Sequence, residues 1–152
     1  AHPLGLYKVR LLISKNGEIT VEGVKIEEIV GIQPVYLAAQ PIISQNDFLY
    51  HKTTHRDVYA PFKKDGFFDC LLWNERGELT EFTTGNIVLQ INGEKLTPPL
   101  SSGVLAGVMR ETLLSKGEII ERVLLLNDLQ TADKMWYINS VRGMIDVDLI
   151  LG

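Results

Sequence analysis

Leu79-Thr80-Glu81-Phe82-Thr83-Thr84-Gly85-Asn86-Ile87 decides how this chain is read. The run is strand-like, yet a carboxylate stands inside it, followed by two threonines, a glycine and an asparagine. Strands favour β-branched and aromatic side chains, and a buried carboxylate without a partner is costly. Taken alone, Glu81 reads better as an exposed cross-strand glutamate paired with a lysine. The whole string is an odd composition for a plain strand and points to chemistry.

Working outward, residues 67–73, a turn at 74–78 and residues 79–83 form an expected hairpin. A third strand over 86–91 turns at Asn92-Gly93 towards Leu96-Thr97-Pro98, which makes an antiparallel meander. Upstream, residues 7–14 and 19–24 alternate on either side of Asn16-Gly17, a strong short-range hairpin signal. Helices are few. Thr54 is placed to cap one over 55–63, with Pro61 awkward in its interior. A better one covers 104–115, with Gly117 suited to its C-terminal cap. Residues 119–126 read as strand, Asn127 or Asp128 caps a single turn through Ala132, and 134–139 and 145–150 read as the last strands. Strands dominate and helices are inserted singly, so the expected class is α+β.

Bulk properties exclude several functions. The 152 residues suffice for one domain with a real core. Net charge is −4 and pI about 5.4, so no overall basic field recruits nucleic acid or an anionic membrane. No apolar run approaches the roughly 18 residues of a membrane helix, no signal-peptide pattern opens the chain, and cytoplasm is the default expectation. Cys70 alone excludes an internal disulfide, and His2, His51 and His55 are too scattered for a metal set.

A second stretch belongs with the first: Tyr50-His51-Lys52-Thr53-Thr54. Pyridoxal 5'-phosphate is a cofactor that needs both an amine for its aldehyde and an acidic partner for its ring nitrogen. Lys52 fits the amine if it lies in a walled, dry cleft at a strand end; a surface lysine is the ordinary alternative. Glu81 fits the acid, because an opposite charge favours the protonated ring. A phosphate needs free backbone N–H groups at a helix start. Arg142 is able to grip a substrate carboxylate through two planar contacts, or to sit on a solvated turn.

In this order, the pieces resemble the fold-type IV pyridoxal-phosphate enzymes: branched-chain and D-amino-acid aminotransferases and aminodeoxychorismate lyases. Glu81-Phe82-Thr83-Thr84-Gly85-Asn86 is similar to that family's ring-nitrogen string. Leu105-Ala106-Gly107-Val108-Met109-Arg110 resembles its phosphate-binding leucine–x–glycine–isoleucine–threonine–arginine segment, with Met109 in place of the threonine. Asn139-Ser140-Val141-Arg142-Gly143 looks like the string of the lyase branch. The resemblance implies Lys52 as catalytic and cofactor-bearing residue. It implies Glu81, Asn86, Gly107, Val108, Met109 and Ser140 as further cofactor contacts, Arg142 as substrate contact, and no metal.

It further implies a D-amino-acid-aminotransferase-like large domain over 27–152, with 1–26 as the last hairpin of a smaller N-terminal domain. The rest of that domain, with an arginine for the cofactor phosphate, would then precede residue 1. Such lyase domains also occur fused behind para-aminobenzoate synthase component I. The implied activity is 4-amino-4-deoxychorismate lyase, giving 4-aminobenzoate and pyruvate for folate synthesis. The alternatives are a branched-chain or D-amino-acid aminotransferase and a non-catalytic truncated domain. The implied partners are a small-molecule substrate and a second copy of the chain.

Overall fold

The computed structural model describes residues 4–150, so His2 lies outside the described residues. The chain divides into two compact units, Ala1–Val30 and Gly31–Gly152.

The first unit holds a hairpin of β1 (Tyr7–Ile13) and β2 (Ile19–Lys25), antiparallel from Tyr7↔Lys25 to Ile13↔Ile19. Gly17 takes a left-handed φ of +84° in the connecting turn, where a side chain would be strained. Because side chains alternate, Val9, Leu11, Ile13, Ile19 and Val21 share one face of this ribbon. All five are largely exposed.

Among the described residues, the second unit is built on eight strands and one α-helix. The strands are β3 (Gln33–Leu37), β4 (Asp69–Trp73), β5 (Leu79–Phe82), β6 (Asn86–Ile91), β7 (Glu94–Thr97), β8 (Ile120–Glu121), β9 (Lys134–Asn139) and β10 (Gly143–Leu149). The helix, α1, spans Val108–Ser115. Strand order is β5-β4-β3-β10-β9-β6-β7-β8, with β5 also paired to β6. That extra pairing closes six strands into a ring and leaves β7 and β8 as an extension. β3 runs parallel to both β4 and β10, β7 runs parallel to β8, and the remaining pairs are antiparallel. The class is therefore α+β, as read from the sequence.

Alternation explains why these strands are apolar almost throughout. Leu71, Ile87, Leu89 and Tyr137 point into one buried cluster with Val35, Phe82 and Val147. Their neighbours Cys70 and Leu72 point the other way, under Ala38, Ile42 and Leu49. Val88, Trp136 and Ile138 likewise face outward and are covered by Leu113 of α1. Both sheet faces are buried, so the pattern of a half-solvated strand is lost.

Several elements differ from the sequence reading, each for a visible reason. The helix expected over 55–63 is absent; only Ala60–Phe62 forms a short 3₁₀ turn, with Pro61 near its start, where a missing N–H costs least. The N–H of His55 is taken by Thr53 Oγ1 at 3.1 Å rather than by a Thr54 cap. Residues 119–126 form a regular strand only over Ile120–Glu121; Arg122 N–H then donates to Thr97 O, Leu125 makes a single bridge to Glu78, and Leu126–Gln130 coils into a 3₁₀ turn. β3 has no counterpart in the sequence reading. Its Pro34 has no N–H to give, yet its carbonyl accepts from Phe68 N–H at 2.7 Å.

Candidate active site

The site begins with an irregularity in β5. Leu79 pairs with Trp73 and Phe82 with Leu71, so β5 carries one residue more than the strand opposite. Such a bulge reverses the alternation. Leu79 and Phe82 both enter the inner cluster, and Glu81 is turned to the outside of the ring. The tight turn 82–85, closed by Phe82 N–H donating to Gly85 O at 2.8 Å, sets Glu81 directly opposite Asn86. The ring of strands thus closes at the residue pair singled out by composition.

Glycine is required at two points for space rather than for backbone conformation. A Cβ on Gly85 would lie 2.5 Å from the Tyr137 ring and 2.8 Å from Ile138 O. A Cβ on Gly107 would lie 2.2 Å from Asn86 Oδ1.

The turn is braced by a residue the sequence reading missed. Asp69 Oδ1 accepts from Thr83 N–H (3.0 Å), the Thr83 hydroxyl (2.6 Å) and Cys70 N–H (2.7 Å). Its Oδ2 accepts from Thr84 N–H (3.1 Å) and the Thr84 hydroxyl (2.5 Å). Thr84 O in turn accepts from the Tyr137 hydroxyl (3.0 Å) and Asn139 Nδ2 (3.1 Å). The available signal was a lone carboxylate opening an apolar strand.

Glu81 is 4% exposed. Its Oε2 accepts from Leu105 N–H (3.0 Å) and Asn86 Nδ2 (3.3 Å), and its Oε1 from the Tyr59 hydroxyl (3.1 Å). Burial pushes its pKa up to about 8, against the pull of the Leu105 amide, the Tyr59 hydroxyl and the charge of Arg56. No salt bridge reaches it among the described residues. A buried carboxyl with donors but no cation is suited to a positively charged ligand group.

Leu105 also explains where α1 starts. The sequence predicts a helix from 104, but Leu105 gives its N–H to Glu81 and its carbonyl to Asn86 Nδ2 at 2.9 Å. Residues 104–107 are therefore not helical, and Gly107, with φ −69° and ψ 138°, is the N-cap. The first-turn N–H groups, which have no acceptor within the helix, belong to Val108, Met109 and Arg110. The Arg110 side chain is 1% exposed and turned to Pro98 O (2.8 Å), Glu111 (2.5 Å) and Glu121, so it braces the helix.

These parts enclose a cavity of about 340 Å³, within the range of small-molecule sites. Lys52, Glu81 and Asn86 line it, as do Gly107, Val108 and Met109 at the helix start and Ser140 on the loop after β9. Met109 also packs on the apolar cluster beneath α1. Lys52 sits in an irregular, exposed stretch rather than at a strand end. Arg142 is not among the lining residues, although Asn139, Ser140 and Val141 of its loop are. Asn139 Oδ1 shapes that loop by accepting from Val141 N–H (3.0 Å) and Arg142 N–H (2.7 Å). Arg56 donates to Thr83 O and lies 4.7 Å from the Tyr59 ring centre, so it is committed to this wall. Among the described residues no group of histidine, cysteine and acidic side chains is placed to hold a metal, and no helix is long and apolar enough to cross a membrane.

Comparison with known proteins gives the same frame. Residues 9–150 match the family described as amino-transferase class IV. A Schizosaccharomyces pombe protein provisionally named aminodeoxychorismate lyase is 32% identical over 95% of this chain and 67% of its own length. A Mesorhizobium loti structure provisionally named an amino-acid aminotransferase superposes with a TM-score of 0.88 at 32% identity, covering 95% of this chain and 73% of that one. A Legionella pneumophila structure provisionally named 4-amino-4-deoxychorismate lyase shares the fold, with a TM-score of 0.80 at 19% identity over 86% of this chain and 52% of that one. The chain belongs to the class IV aminotransferase family, whose members are pyridoxal-phosphate-dependent enzymes.

Proposed function

We propose that this chain carries the cofactor site of a 4-amino-4-deoxychorismate lyase, which releases 4-aminobenzoate and pyruvate. The observation that carries the reading is one cavity lined by Lys52, Glu81 and the start of α1. These residues fit pyridoxal phosphate. Its phosphate would be held by the free N–H groups of Val108 and Met109, where the helix dipole favours an anion. Its ring nitrogen would face Glu81, and its aldehyde would be joined to Lys52. When bound, the cofactor withdraws electrons from the substrate carbon that bears the amine.

The chain's own residues supply the rest. Glu81 holds a proton at the ring nitrogen by opposite charge in a buried site. The Lys52 amine, once free, takes the proton from the amine-bearing carbon and returns it to the leaving three-carbon unit. Asn86 fixes the Glu81 carboxylate, and the close approach of Gly107 keeps Asn86 in place. Ser140 and its neighbours wall the substrate side, with Arg142 proposed to reach a substrate carboxylate from the same loop. Substrate atoms equal product atoms, so neither water nor oxidant is consumed.

The likeness to the Mesorhizobium loti structure favours a second reading, an amino-acid aminotransferase, of which branched-chain and D-amino-acid enzymes are the candidates. One pair of assays separates them. Pyruvate released from aminodeoxychorismate supports the lyase. Glutamate formed from 2-oxoglutarate and an amino acid, with no pyruvate from aminodeoxychorismate, overturns it. If pyridoxal phosphate causes no absorbance change with the chain, the cofactor site itself is refuted.

A further inference from the structure

We propose that Tyr59 is a positioning residue, holding the Glu81 carboxylate in place for the cofactor's ring nitrogen; this rests on the cofactor reading above. The two oxygens of Glu81 are served from different parts of the chain. Oε2 is fixed by Leu105 N–H and Asn86 Nδ2, both next to the strand ring. Oε1 has the Tyr59 hydroxyl, at 3.1 Å, from the irregular segment that also carries Lys52. Donors on both oxygens favour the ionised carboxyl, and that is the form that can pair with a protonated ring.

Tyr59 is itself held. The Arg56 guanidinium lies 4.7 Å from its ring centre and also donates to Thr83 O of the turn that carries Glu81. Burial and the neighbouring Glu81 keep the Tyr59 phenol above its ordinary pKa, so it stays a donor. The other charged groups acting on Glu81 are Arg56, which favours its ionisation, and Asp69, which opposes it; Lys52, His51 and His55 line the same cavity. Tyr59 thus ties the lysine-bearing segment to the ring-nitrogen end of the site.

The test is a titration of the full chain with pyridoxal phosphate and with its 1-deaza analogue, in which carbon replaces the ring nitrogen. Borohydride reduction and mass spectrometry confirm loading. Tyr59→Phe is expected to weaken pyridoxal phosphate about tenfold, the scale of one hydrogen bond to a charged group. Binding of the analogue should stay within about twofold, and adding Tyr59→Phe to Glu81→Gln should cost nothing further. Equal weakening of both ligands, or the same loss in the Glu81→Gln chain, shows Tyr59 to be merely structural and overturns the proposal. If Glu81→Gln alone leaves the preference for pyridoxal phosphate over the analogue unchanged, the ring-nitrogen reading fails, and the proposal fails with it.

Discussion

The two walls of the cavity are built in opposite ways. The wall bearing Glu81 and Asn86 is the closing point of a strand ring, buried and cross-linked by Asp69, Thr83, Thr84 and Tyr137. The wall bearing Lys52 is an exposed stretch without regular structure until the short turn Ala60–Phe62. Few backbone bonds tie it down, among them Tyr59 N–H to Arg56 O at 3.0 Å and Phe62 N–H to Tyr59 O at 3.0 Å. The difference separates two jobs. The first wall is part of the core, so under the proposed function its residues would serve stability and binding together. The second presents the amine that the proposed function joins to the cofactor, and a segment with few buried contacts opens at low cost.

That contrast fails if Lys52 matters to folding. Lys52→Ala is expected to lower turnover by about 10²–10⁴-fold or more, the scale of a lost acid–base group, and to abolish the borohydride-fixed adduct. Its thermal unfolding should match the unaltered chain within the ordinary surface range. A variant that keeps both adduct and turnover removes Lys52 from the proposed role.

The buried wall should instead make stability depend on pH. Glu81 has a folded pKa raised from 4.5 to about 8, so the folded chain keeps a proton that the unfolded chain releases. Below about 4.5 both states are protonated and burial carries no ionisation penalty. As pH rises from about 4.5 to 8 the unfolded state ionises freely, and stability falls by up to about 5 kcal/mol. Glu78 works in the other direction but elsewhere: hydrogen bonding to Arg76 holds it at about 2, so its contribution is lost only in acid. Denaturant midpoints at pH 5 and 8.5 should therefore differ for the unaltered chain without cofactor and converge in Glu81→Gln. Added pyridoxal phosphate should restore stability most at the higher pH.

A third experiment compares glycines. Gly85→Ala forces a Cβ to 2.5 Å from the Tyr137 ring, and relief would open the turn opposite Ile138. The expected loss is about 1–3 kcal/mol, the usual scale of overpacking, with weaker cofactor binding. Gly23→Ala in β2 meets nothing within 4 Å and should change stability by no more than about 0.5 kcal/mol. Equal effects at the two positions would mean that the turn is not tightly packed.

The same contrast decides what could be read from the sequence. Asn92-Gly93 announced its hairpin because both residues take left-handed φ, +52° and +82°, and few other pairs do so cheaply. Glu81 and Asn86 were legible because each violates strand composition. The sequence predicts α1 four residues early, since nothing local reveals that the Leu105 amide is claimed by Glu81, 24 positions away. Asp69 and Tyr59 were missed for the same reason: their partners lie 14 and 22 positions along the chain. β3 was hidden by Pro34, which ordinarily argues against an interior strand. Long-range contacts decide these details, and periodicity carries no record of them.

The smallest expected effect tests the join between the walls, at the helix start. Met109 stands where the resembling families carry threonine, lining the cavity while also packing beneath α1 with Leu113 and Trp136. Met109→Thr adds a hydroxyl within the first turn and removes apolar contact, so two opposite signs are expected. Affinity for pyridoxal phosphate should rise by about two- to tenfold, one neutral hydrogen bond's worth. Folding stability without cofactor should fall by about 1 kcal/mol, because the side chain is only partly buried. The comparison that matters is with pyridoxal, which lacks the phosphate: its affinity should not improve. If pyridoxal gains as much as its phosphate does, the added hydroxyl acts on the ring rather than the phosphate, and the proposed orientation of the cofactor across the cavity is reversed.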